Sequence, residues 1–145
     1  MYQILLIPIA IGIAKLFSKL FESNPDLEKI DSEHIYEDYL VTYFKKDKER
    51  IVKQKITSSI NRIIETYGHF KIGKSGIPVQ RAKQHREYKE MFLLCQSKYP
   101  ELIENLERYY NEKYINHKKN DNKNMGSASV MSEIKKNYYL YIVVV

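Results

Sequence analysis

Basic side chains and one histidine stand at regular intervals in a single stretch: Lys71-Ile72-Gly73-Lys74-Ser75, then Pro78, Arg81 and His85. Arg81 and His85 are four residues apart, about one helical turn, so a helix there carries guanidinium and imidazole on one face. Those groups suit a phosphodiester. A fixed guanidinium meets the charge that develops at phosphorus, and an imidazole reaches the phosphate or an attacking water. Lys71 and Lys74 add contacts to the backbone that carry no sequence information. Cleavage also needs a hard cation held by carboxylate to polarise the phosphoryl oxygen, a role open to Glu107 in the segment Glu101 to Tyr114. Singly these residues are commonplace: an Arg and a His one turn apart are ordinary solvated residues, and Glu107 among Glu101, Glu104 and Glu112 can be one member of a charged face. Their combination is what carries weight.

The elements that must position them follow from pattern. His69 to Gly73 reads as a short strand closed by a glycine turn. A helix follows from Pro78, whose fixed φ suits a first turn. Glu90 to Gln96 is strand-like, and Pro100 opens a helix with Leu102, Ile103, Leu106 and Tyr110 on its buried face. Lys118 to Ser127 is a loop by composition. Tyr138 to Val145 is a strand too apolar to lie exposed on a sheet edge. Upstream, Asn24-Pro25 reads as a cap and first-turn proline opening one amphipathic helix, with Tyr36, Leu40, Tyr43 and Phe44 at helical spacing. A second helix runs from about Lys48 to Glu65 and buries Val52, Ile56, Ile60, Ile63 and Ile64. The expected fold is α+β, a small antiparallel or mixed three-stranded sheet flanked by helices, with a helical amino-terminal extension. Its expected divisions are residues 1–22, 23–65 and 66–145.

Composition narrows the partners. At 145 residues the chain suits one core. Residues 23–40 carry six acids against Lys29, whereas residues 41–145 carry 21 Lys or Arg against 11 acids. The basic part is the part with the motif, which favours a polyanion such as nucleic acid, and would equally suit an anionic membrane. Thirteen tyrosines are no evidence of base stacking when isoleucine, lysine and asparagine are also abundant, because an A+T-rich genome produces that mix. The single Cys95 has no partner for a disulfide and no zinc-ligand spacing around it, which fits a reducing compartment and a buried strand thiol.

Residues 1–21, apolar to Ala14 and then interrupted by Lys15 and Lys19, are short for a membrane span. Three roles are open: a membrane anchor, an interfacial amphipathic helix, and a helix packed on the domain. No basic residue precedes the run and no small-residue cleavage site follows it, so a removable signal is disfavoured. If it spans, the lysines put the remainder in the cytoplasm; the expected localisation is cytoplasmic, with this segment a candidate anchor.

The stretch from Lys71 to His85 resembles the second half of the GIY-YIG nuclease signature, a strand ending in an aromatic or lysine, then Ile, Gly, Lys and Ser or Thr. In that family an Arg follows the Gly by eight residues, often with a His four later, and Gly73, Arg81 and His85 keep both spacings. The lysine before Ile72 is similar to the phage-associated branch of that superfamily. The helix from Pro100 supplies a second match: the family's metal-binding acid has aromatics three and seven residues later, as Glu107 has Tyr110 and Tyr114, with Glu104 as substitute. An Asn before a Gly beyond this helix corresponds best to Asn124, with Asn120 and Asn122 competing. The resemblance implies cleavage of DNA with Mg²⁺ or Mn²⁺ on Glu107 and no small-molecule cofactor. Arg81 would stabilise the phosphate and His85 assist proton transfer, while Lys71, Lys74, Ser75, Lys83 and Asn124 contact the backbone.

The chain departs from the family in lacking the Gly-Ile-Tyr strand, whose tyrosine is implicated in activating water. The terminal strand would take its place as though permuted, with Tyr139 or Tyr141 as the stand-in; Tyr67 is another. Two rivals remain: a binding module that has lost turnover, and a membrane-attached interaction protein whose acidic segment, residues 26–44, contacts a partner or masks the basic face.

Overall fold

The terminal apolar run dictates the sheet. In a computed structural model that describes Ile30, residues 32–122 and residues 137–145, Tyr138–Val144 forms strand β5, buried along nearly its whole length. It lies between Phe70–Ser75 (β3) and Glu90–Ser97 (β4), antiparallel to both. A strand apolar on both faces belongs at the centre, and β5 is there.

Two helices cover one face. Glu49–Thr66 (α1) and Pro100–Lys113 (α3) bury their stripes, Val52, Ile56, Ile60 and Ile63 from α1 with Leu102, Ile103, Leu106 and Tyr110 from α3, against Phe70, Ile72, Leu140 and Ile142. The Tyr110 hydroxyl donates to the Lys53 carbonyl at 2.9 Å and lies 2.9 Å from Thr57 Oγ1, and Tyr114 donates to Asn61 Oδ1 at 2.7 Å. These bonds satisfy buried phenols while fixing α3 to α1. Residues 49–66 therefore share one core with the sheet. The opposite face gathers Ala82 from the short helix Pro78–Ala82 (α2), with Tyr88, Met91, Leu93, Tyr141 and Val143. A register shift between Leu93 and Cys95 lets the consecutive Leu94 and Cys95 both join the helix-covered cluster. Cys95 is a buried strand thiol as expected, and burial pushes its pKa up to about 12.

The α+β class holds, and the sheet is larger than the three strands expected. Ile35–Tyr36 (β1) and Val41–Thr42 (β2) pair in parallel with β4, after a 3₁₀ turn at Ser32–His34. These short strands replace the helix anticipated over the acidic segment. Tyr36 is held by its Phe92 contact, ring centroids 5.1 Å apart, and Tyr43 is buried, whereas Phe44 is 58 % exposed. The four residues do not form the continuous stripe that a helix would bury. Among the described residues no helix is long and apolar enough to cross a membrane. Residues 1–21 and Asn124 lie outside the described residues.

Candidate functional site

Gly73 and Tyr141 face each other across the β3–β5 ladder. The Tyr141 ring folds over Gly73 so closely that a Cβ there would overlap the phenol. Only glycine leaves that space. Laid across the strand, the phenol places its oxygen 2.7 Å from His85 Nε2, with the two rings edge to face at 5.4 Å. Of the candidate tyrosines, Tyr141 is thus the one brought to His85. Tyr139 sits on the same face opposite Ser75, partly buried against the second core cluster. Tyr67 lies with the other cluster, donating to Glu90 and packing at 6.0 Å from Phe92.

α2 ends at Ala82, so Arg81 is on the helix while His85 lies past the turn that follows, and the two do not share the helical face expected from their spacing; His85 reaches the strand through Tyr141. Ser75 stabilises the approach: its buried hydroxyl accepts from the Ile77 amide at 2.9 Å, a role inside the turn and not on an exposed phosphate-facing surface. Arg81 and Lys83 are exposed. Burial, then the charges of Lys71 and Arg81, lower the His85 pKa to about 4, so the imidazole is neutral at pH 7. Burial also raises the Tyr141 pKa, with Arg81 opposing and Glu107 adding to the rise. Arg81, Glu107 and His85 therefore all lie within electrostatic reach of one phenol.

Glu107 comes from α3, which covers the face of the sheet opposite Tyr141 and His85; it is buried there, and its carboxylate is 3.4 Å from Lys74 Nζ, the two side chains 6 % and 7 % exposed. Lys74 is therefore placed otherwise than as a solvent-facing backbone contact. The period-two run Phe70, Ile72, Lys74 points it to the helix-covered side, a signal readable in the sequence. Asn111 carries a signal too, one turn after Glu107 on the same face. It is fully buried, its amide donates to the Glu107 carbonyl oxygen at 3.0 Å, and its Oδ1 accepts from Asn122 Nδ2 at 2.9 Å. Asn120 is spent on the Tyr114 carbonyl and the Asn122 amide. Of the two described candidates, Asn120 and Asn122, it is therefore Asn122 whose side chain bonds to Asn111 and through it to the Glu107 backbone.

Among the described residues no three His, Cys, Asp or Glu side chains converge to hold a metal ion. A lone carboxylate still fits a magnesium-like ion, which commonly keeps several waters and takes substrate phosphate oxygens beside one or two carboxylates. Lys74 is the cation such an ion would meet there. No family model, no curated protein and no solved structure matches the chain.

Proposed function

We propose that the chain is a GIY-YIG-like, divalent-metal-dependent endonuclease that hydrolyses phosphodiester bonds in DNA. The observation that carries this is the Tyr141–His85 hydrogen bond beside Arg81, formed by a tyrosine on a central strand antiparallel to the Lys-Ile-Gly strand. That is the position in which a permuted chain would supply the missing tyrosine.

With Nε2 of neutral His85 unprotonated, the Tyr141 hydroxyl donates to it. The phenol oxygen takes a proton from the attacking water as it passes its own to Nε2. The water oxygen bonds to phosphorus, the P–O ester bond breaks, and the leaving oxygen is protonated from solvent. Arg81 meets the charge on the phosphoryl oxygens. A bound phosphodiester also offsets Lys71 and Arg81, two of the three causes of the low His85 pKa, and so moves the imidazole towards the value a base needs. Glu107 would hold the divalent ion, which supplies Lewis-acid polarisation when bound. Lys71 and Lys83 would contact the phosphate backbone of the bound strand.

The test is incubation of the protein with plasmid and linear DNA in Mg²⁺ or Mn²⁺, beside Arg81→Ala and Glu107→Ala. Loss of cutting in both variants is the expected result. Binding without cutting by the unaltered protein would favour a second reading, a degenerate nucleic-acid binder. The Lys74–Glu107 pair supports that alternative, because an ammonium already neutralises the carboxylate a metal would use. A protein that neither binds nor cuts would fit the membrane-interaction reading instead.

A further inference from the structure

A second basic surface lies on the far flank of α3 from Glu107. Tyr109 follows Glu107 by two residues, which on a helix turns it about 200° away, and it lines an open groove of about 970 Å³ between α1 and α3. Lys46, Arg50 and Lys53 supply cations, while Gln54, Thr57, Ser58 and Asn61 supply amides and hydroxyls. The one carboxylate, Glu49, is bonded to Lys53 at 2.8 Å and held below its ordinary pKa by that lysine. Lys53 Nζ in turn sits 3.9 Å from the Tyr109 ring centroid. The groove keeps a net positive charge, concentrated at the start of α1, where Lys45, Lys46, Lys48 and Arg50 outnumber Asp47 and Glu49.

Charge alone would suit a bilayer or a nucleic acid, but the hydrogen-bonding groups along α1 separate them. Gln54, Thr57, Ser58 and Asn61 stand beside the cations, and a sugar-phosphate strand brings both charge and hydrogen-bonding oxygens to that row. We propose that this groove binds a single strand of nucleic acid through its phosphates, as a surface separate from the Tyr141 site and independent of cleavage there.

The test is fluorescence polarisation with labelled oligothymidylate in EDTA, across a salt series, on the full chain and on Lys46→Glu/Arg50→Glu. A control, Lys98→Glu/Lys118→Glu, makes the same change in net charge at exposed positions outside the groove. The groove variant is expected to bind at least about tenfold more weakly than the control, and its slope of log affinity against log salt to fall by about 1.4, the loss of two phosphate contacts. Its circular dichroism should match that of the unaltered protein. Equal weakening in the two double variants would overturn the proposal, since it would reduce to net charge. So would unchanged oligonucleotide affinity with lost binding to phosphatidylserine vesicles, which would make the surface a membrane contact. EDTA and the Arg81→Ala variant keep the two sites distinguishable: a failure of plasmid cutting leaves the groove result standing, and a groove without binding leaves cutting intact.

Discussion

Tyr141 lies over Gly73 and reaches His85 at 2.7 Å, so one glycine, one phenol and one imidazole from three separate segments share a single geometry. The glycine is required by close approach. Gly73→Ala should drive the added methyl into the phenol and cost about 1–3 kcal/mol, read as a lower urea midpoint, and Tyr141→Leu in the same chain should recover much of the loss. An alanine variant as stable as the parent would show that the ring does not lie there.

His85 sets an acid limit on stability. Its pKa of about 4 in the folded protein is below the ordinary 6.5, so between these values the unfolded chain binds the proton and the folded one does not. Stability is therefore expected to fall as pH drops from about 6.5 towards 4, and to fall less in His85→Gln. The His85 ring signal in NMR should stay that of the neutral form until pH nears 4; titration near 6.5 would contradict it.

Lys74 and Glu107 form a nearly solvent-free pair. Lys74→Met should cost about 3–5 kcal/mol, because it takes the cation away from a buried carboxylate, and Lys74→Met/Glu107→Leu should be closer to the parent than either single change. Denaturant unfolding of the four proteins gives the cycle. Additive losses would mean that the two groups do not interact.

Cys95 is shielded by the core and its thiol is pushed up to about 12. A thiol reagent at pH 8 should label it only at the rate of global unfolding. Fast labelling of the folded protein would place it at the surface.

Much of the frame was legible because its signals are local. Pro78 and Pro100 open their helices, the isoleucine stripe marks α1, and the Tyr138–Val144 run belongs at a sheet centre for want of any polar face. β1 and β2 were illegible: two residues carry no periodicity, and Ile35 and Val41 become strands through pairing with Met91 and Cys95, more than fifty positions away. In the site, the Arg81 and His85 spacing could be read along the chain, but the choice of Tyr141 over Tyr139 and Tyr67 depends on register across β3. The place of Lys74, by contrast, could be read from its alternation with the apolar Phe70 and Ile72.

The most direct test of the account is single-turnover cleavage of DNA in Mg²⁺ by the full chain and by Tyr141→Phe, with affinity measured in parallel. Loss of the hydroxyl should slow cutting by about 10²-fold or more while leaving DNA affinity within about threefold, as expected for a group that moves a proton rather than one that holds phosphate. Cutting by Tyr141→Phe at the parental rate would contradict the assignment of this strand and its tyrosine to the catalytic centre.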